Sequence, residues 1–88
     1  MKTSFRKSFV RDLKKIKDNK TLDLIAAAIE MVENCTAISD LDDLKKLKGF
    51  DSYFRIRVGE LRIGISIDDG LVEFVRCLHR KDIYRYFP

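Results

Sequence analysis

Apolar residues recur along the chain with two different periods, and the change of period divides it into a helical half and a strand half. Phe5, Phe9, Leu13 and Ile16 stand four, four and three positions apart with Lys14, Lys15 and Lys17 among them, the stripe of an amphipathic helix. The pattern predicts a short strand near residues 2–6 and then a helix to about Asp18. Asp18-Asn19-Lys20 is turn-like, and Thr21 suits the N-cap of a second helix with Asp23 in its first turn. Leu22, Ile25, Ile29 and Val32 form the apolar face of that helix. Ala26, Ala27 and Ala28 are small enough to let the two helices, read as an antiparallel pair, approach closely. Neither stripe is broad enough to bury itself alone, so both helices need a sheet to lie against.

The second half supplies one. After the acidic Ser39-Asp40-Leu41-Asp42-Asp43, the segment Leu44-Lys45-Lys46-Leu47-Lys48-Gly49 leads into Tyr53 to Val58, where Phe54, Ile56 and Val58 alternate with Tyr53, Arg55 and Arg57. That is a half-buried strand. Gly59-Glu60 reads as a tight turn, and Leu61, Ile63, Ile65 and Ile67 then alternate with Arg62, Gly64 and Ser66. Asp68-Asp69-Gly70 is a hairpin turn. Residues 71–78 follow as a strand apolar on both faces, with Val72 and Phe74 on one and Leu71, Val75 and Cys77 on the other, a pattern that places it in the middle of the sheet. The expected fold is α+β: two N-terminal antiparallel helices packed on one face of a small, mainly antiparallel four-stranded sheet, in a single domain of residues 1–88.

Composition narrows the class. The 88 residues are 45% hydrophobic and 36% charged with one proline, which fits a folded, well-solvated domain with a thin core. No run approaches the roughly 18 apolar residues of a membrane span, and Met1-Lys2-Thr3-Ser4-Phe5 lacks the apolar stretch of a signal peptide, so a cytoplasmic protein is expected. Cys35 and Cys77 show no CxxC spacing and there is one histidine, which speaks against a zinc cage or a disulfide framework; no metal or cofactor is expected. Charge is distributed unevenly: residues 1–20 hold eight Lys or Arg against two acids, residues 21–44 none against six, and residues 45–88 ten against six. Positive field concentrated on particular elements suits a polyanion or an acidic partner, although for residues 1–20 a solvated helix face is the simpler reading.

The alternation gives the charge a direction. If the Ile, Leu and Phe side chains face the helices, then Arg55, Arg57 and Arg62 share the opposite face, and across the turn at Gly59-Glu60 residues Arg57 and Arg62 stand near one another. Like charges so placed repel unless an anion bridges them, and guanidinium forks match phosphate oxygens two at a time. The pattern equally admits unrelated surface arginines partnered by Glu60 or Asp51. At the C-terminus His79, Arg80 and Tyr84 leave the last strand beside the same face. A guanidinium, an imidazole and a phenol can together neutralise a phosphate, move a proton and stack on a base. Tyr86 and Phe87 read instead as closing the core at the sheet's end.

Leu47-Lys48-Gly49, Tyr53-Phe54-Arg55-Ile56-Arg57-Val58-Gly59-Glu60-Leu61-Arg62-Ile63 and His79-Arg80-Lys81-Asp82-Ile83-Tyr84 together resemble the RelE branch of the RelE/ParE toxin superfamily. The order of two helices before an antiparallel sheet also fits, so the resemblance covers nearly the whole chain. His-Arg followed four residues later by Tyr is its most specific part. The resemblance implies the toxin of a type II toxin–antitoxin pair, an endoribonuclease that cleaves mRNA in the ribosomal A site and is held by a small acidic antitoxin in a hetero-oligomeric complex. Carried over by position, Arg62, Arg80, Tyr84 and His79 become the expected catalytic group, with Arg55, Arg57, Lys48 and Lys81 as RNA contacts. The ribose 2′-OH would attack the adjacent phosphate to leave a 2′,3′-cyclic end, with no metal required.

Arg55 and Arg57 depart from the best-known relatives, which carry lysine there. Arginine is too basic to release a proton readily, so these two stabilise charge, and the proton acceptor falls to Tyr84, His79 or a group from the ribosome or solvent. A ParE-like gyrase inhibitor and an inactive, antitoxin-binding domain are the alternatives; Arg62, Arg80 and Tyr84 occurring together favours the nuclease.

Overall fold

Asp18 sets the boundary between the two N-terminal helices. In the computed structural model, which describes residues 1–88, the chain runs β1 (Lys2–Phe5), α1 (Lys7–Lys14), α2 (Asn19–Asn34), a 3-10 turn (Ile38–Asp40), β2 (Leu44–Lys46), β3 (Tyr53–Val58), β4 (Leu61–Asp68), β5 (Leu71–His79) and α3 (Ile83–Tyr86). The Asp18 carboxylate accepts from the Thr21 hydroxyl at 2.6 Å and from Thr21 N at 3.2 Å. Asp18 rather than Thr21 is therefore the N-cap of α2, and those two bonds hold its carboxyl below the usual aspartate range. A cap must be extended, so α1 ends at Lys14 instead of near Asp18, and Ile16 reaches the core from outside any helix.

The sheet is mixed and five-stranded, not four-stranded, in the order β1-β5-β4-β3-β2, with β1 parallel to β5 and the remaining pairs antiparallel. Its additional member is β2, a three-residue edge strand too short for alternation to register. The central strand is β4, with β5 between it and β1.

One face of this sheet is covered by both long helices. Phe9 of α1 and Ile25 and Val32 of α2 pack with Ile56, Ile63, Ile65, Val72, Phe74 and Cys77. Helix α1 lies on β5, and α2 on β3 and β1; Ala26 and Ala27 are exposed and only Ala28 turns to the core, so the alanines do not form a helix–helix seam. The other face carries a second, smaller cluster of Leu47, Val75, Ile83 and Phe87. Phe87 is buried there as expected, whereas Tyr86 is 53% exposed and does not close the core.

A bulge in β5 decides which residues reach which face. Gly64 pairs with Arg76 but Ile65 pairs with Phe74, which leaves Val75 as an extra residue. The side-chain order shifts by one, and Cys77 joins Phe74 and Val72 on the helical face instead of Val75 on the other. Beyond Phe74 the edge of β5 has lost β1, and α1 with its N-cap residue Arg6 satisfies it: Arg6 N donates to Phe74 O (2.9 Å), the Ser8 hydroxyl to Val75 O (2.6 Å), and Cys77 N to the Asp12 carboxylate (2.9 Å). Asp12, 4% exposed, also accepts from Arg76 Nε and Nη2 at 2.7 and 3.2 Å, and that bond holds the Arg76 guanidinium above its ordinary value.

Candidate active site

The β3–β4 hairpin turns Phe54, Ile56, Val58, Leu61, Ile63 and Ile65 to the helices and leaves Arg55, Arg57 and Arg62 on the opposite face. Arg57 and Arg62 are Cα partners across the strands, as the equal offsets predict. Arg55 is opposite Gly64, and the ring of Phe87 occupies the place a side chain would fill: a Cβ on Gly64 would stand 2.7 to 2.8 Å from three Phe87 ring atoms. Glycine at 64 thus lets the C-terminal segment lie flat on the sheet, which carries α3 and Tyr84 to the arginines.

Tyr84 is 61% exposed, and its hydroxyl accepts from Arg55 Nε at 3.1 Å. Arg62 is half-buried and folds over its own turn, donating from Nη1 to Gly59 O (2.8 Å) and Leu61 O (2.9 Å). Burial and the neighbouring charges of Arg55, Arg57 and Arg80 all press its guanidinium below the ordinary arginine value, with Tyr84 acting in the opposite sense. It stays protonated at neutral pH, so the site contains a cation held under electrostatic stress that an anion would relieve. The structure therefore gathers Arg55, Arg57, Arg62, Arg80 and Tyr84 into one group around Arg62.

Two carboxylates border that group. Arg57 Nη2 donates to Asp43 Oδ1 at 3.1 Å, and Arg80 Nε donates to Glu60 Oε2 at 2.7 Å while its backbone N–H binds Glu60 O at 2.8 Å. The Arg80 hydrogen bond and charge draw the Glu60 carboxyl below the usual glutamate range. His79 Nε2 lies 3.8 Å from the same Glu60 oxygen, and its Nδ1 accepts from Lys81 N at 3.1 Å. The imidazole thus faces Glu60, with its neutral-form lone pair already engaged. The Lys81 ammonium makes no hydrogen bond or ion pair. Lys48 lines an open cleft of about 730 Å³ that Tyr84 also borders. Asp51, considered as an arginine partner, pairs with Lys46 at 3.6 Å.

Three neighbours of the group were not singled out from the sequence: Lys45 of β2, which pairs with Arg55 in strand register; Asp43, which precedes β2 and accepts from Arg57; and Phe50, in the loop between β2 and β3, which lines the same cleft as Tyr84. No group of three or more His, Cys, Asp or Glu side chains is placed to hold a metal ion. No helix is long and apolar enough to cross a membrane.

Fold and site define a small α+β protein with a group of arginines gathered on one face of a β-hairpin. Residues 4–84 match the family described as the ParE toxin of type II toxin–antitoxin systems, parDE. The chain is 47% identical over 91 residues to Toxin RelE3 of Methanocaldococcus jannaschii, covering 100% of both. Among solved structures it is similar to the RelB–RelE antitoxin–toxin complex from Methanococcus jannaschii, with TM-score 0.80 and 43% identity over 97% of this chain and 99% of that one. It shares its fold with the YoeB dimer from Staphylococcus aureus, with TM-score 0.73 and 20% identity over 91% and 97% of the two chains. The chain belongs to the RelE/ParE toxin superfamily and is the toxin of a type II toxin–antitoxin system.

Proposed function

We propose that this toxin is an endoribonuclease that cuts mRNA, in the ribosomal A site, by attack of a ribose 2′-OH on the adjacent phosphate. The convergence of three arginines and Tyr84 around the half-buried Arg62 carries the reading. As the 2′-oxygen bonds to phosphorus its proton leaves to a base, the P–O5′ bond breaks, and the products are a 2′,3′-cyclic phosphate and a 5′-hydroxyl. Negative charge peaks on the pentacoordinate phosphoryl oxygens. Arg62, Arg55 and Arg57 meet that charge, and Arg80, aimed by Glu60, serves the leaving 5′-oxygen. The nucleophile is internal to the substrate and guanidiniums carry the charge, so the reaction as written uses no metal.

Tyr84 is the side chain best placed for proton transfer, because its hydroxyl stands at Arg55 while its ring stays open for stacking. His79, whose nitrogens are turned to Glu60 and Lys81 N, would have to rotate to serve as base. Lys48 and Lys81 add sequence-independent attraction for the RNA backbone. The protein's partner is a small acidic antitoxin, a reading supported by the RelB–RelE complex of the 43% identical relative.

Inducible expression followed by primer-extension mapping of mRNA 5′ ends tests the proposal beside a gyrase supercoiling reaction. Codon-phased cuts should appear with the wild type and fall about 100-fold or more in Arg62→Ala, with loss also in Tyr84→Phe. The match to the ParE family description makes gyrase inhibition the second reading. Intact mRNA with blocked supercoiling would establish it and remove the first.

A further inference from the structure

The cleft beside Tyr84 has a chemistry of its own. Lys45, Lys46, Lys48, Phe50, Asp51 and Tyr84 line a volume of about 730 Å³, within the range of roughly 300 to 1,000 Å³ that small-ligand sites occupy. Lys46 is paired with Asp51 at 3.6 Å, whereas Lys45 and Lys48 have no carboxylate partner. Phe50 is 44% exposed among these ammonium groups. It is also braced: its ring meets Tyr53 edge-on at 5.4 Å, and Tyr53 meets the buried Phe87 edge-on at 5.6 Å. A fixed, open aromatic ring ringed by free cations matches a ligand with a planar face and a phosphate, which is what each nucleotide of a single strand offers. The positive track is continuous, since Lys45 is the strand partner of Arg55 and Tyr84 stands at both the cleft and the arginine group.

We infer that this cleft is a second nucleotide subsite, in which the base flanking the cleaved step stacks on Phe50 and its phosphate lies on Lys45 and Lys48. The inference rests on the ribonuclease reading and deepens it. Tyr84 forms the shared wall, so the strand passes from the arginine group around its ring into the cleft. Phe50 acts on binding and not on the reacting atoms.

Single-turnover cleavage on ribosomes programmed with a defined mRNA, measured against toxin concentration, separates the possibilities. Phe50→Ala should raise the half-saturating concentration about 10-fold with the maximal rate retained, and Phe50→Trp should restore wild-type behaviour. Lys45→Ala with Lys48→Ala should flatten the salt dependence of half-saturation, by about 0.7 in log–log slope for each phosphate no longer neutralised; these exposed lysines report even if Phe50→Ala fails to fold. Unchanged half-saturation in the wild-type-folded Phe50 and lysine variants would overturn the subsite while leaving the nuclease standing. A loss confined to maximal rate would also overturn it, as would failure of Phe50→Trp to rescue. If the substitutions weaken only capture of the acidic antitoxin, the cleft is a protein-binding surface and the inference is wrong. A wild type that leaves mRNA intact removes the ribonuclease reading and the subsite together.

Discussion

Arg62 is the residue on which the site's electrostatics converge, because it is both partly withdrawn from water and pressed by three other guanidiniums. Its own hydrogen bonds go to carbonyls of Gly59 and Leu61, which fix its direction without cancelling its charge. Alternation alone places it on the arginine face, but its stress depends on Arg80 arriving from 18 residues downstream, which no local pattern shows. Cys77 illustrates the opposite case. Burial, and secondarily the Asp12 carboxylate, push its thiol from 9.0 to about 12. The folded protein holds the proton that the unfolded chain releases above about pH 9, so stability falls as pH rises from there toward 12. We expect the wild type to lose about 1 kcal/mol per pH unit more than Cys77→Ala across that interval, measured by urea titration. In the native state a disulfide reagent should label the half-buried Cys35 and spare Cys77 until denaturant is added. Fast modification of both thiols would contradict the packing.

At the scale of elements, legibility followed the length of the periodic signal. The β3–β4 hairpin and the Arg57–Arg62 pairing were readable because both strands alternate over six or more residues across a short turn, and nearly all of β5 because it is a long apolar run opened by a glycine turn. β2 was not, with three residues, and neither was the bulge at Val75, since an inserted residue looks the same as continued alternation until the partner strand is known. The buried polar position Asp12 sits within the α1 stripe and reads there as one more surface acid. It is instead the clasp between α1 and the β5 edge. Asp12→Ala strands the Arg76 guanidinium and Cys77 N–H, and should cost about 3 kcal/mol by chemical denaturation; a change near zero would show that water replaces the carboxylate. Gly64→Ala acts on the other face. Its methyl collides with Phe87, whose ring is 3% exposed, so the C-terminal segment must lift. The expected outcome is about 1 to 3 kcal/mol of destabilisation together with lost cleavage, because α3 carries Tyr84. Full activity with an unchanged melting temperature would mean that Phe87 does not hold Tyr84 in place.

Across the whole molecule the two faces of one sheet are used differently. The helical face is apolar and sealed, and the other is half apolar, under α3, and half arginine. Positive charge also lies on α1, in Lys7, Arg11 and Lys14, on the opposite side of the sheet from the site. If α1 is a solvated face and the arginine face binds RNA, salt should discriminate between them. Cations that neutralise phosphates release counterions, so the logarithm of the half-saturating toxin concentration on programmed ribosomes should rise linearly with that of salt, at about 0.7 per single-strand phosphate neutralised. Arg57→Ala should lower that slope by about 0.7, even though its pair with Asp43 is exposed and adds little to stability. Lys14→Ala should leave slope and cleavage as they are. An equal effect of the two substitutions would mean that the molecule attracts RNA through its overall charge, whereas an effect of Lys14→Ala alone would move the RNA-binding surface to α1.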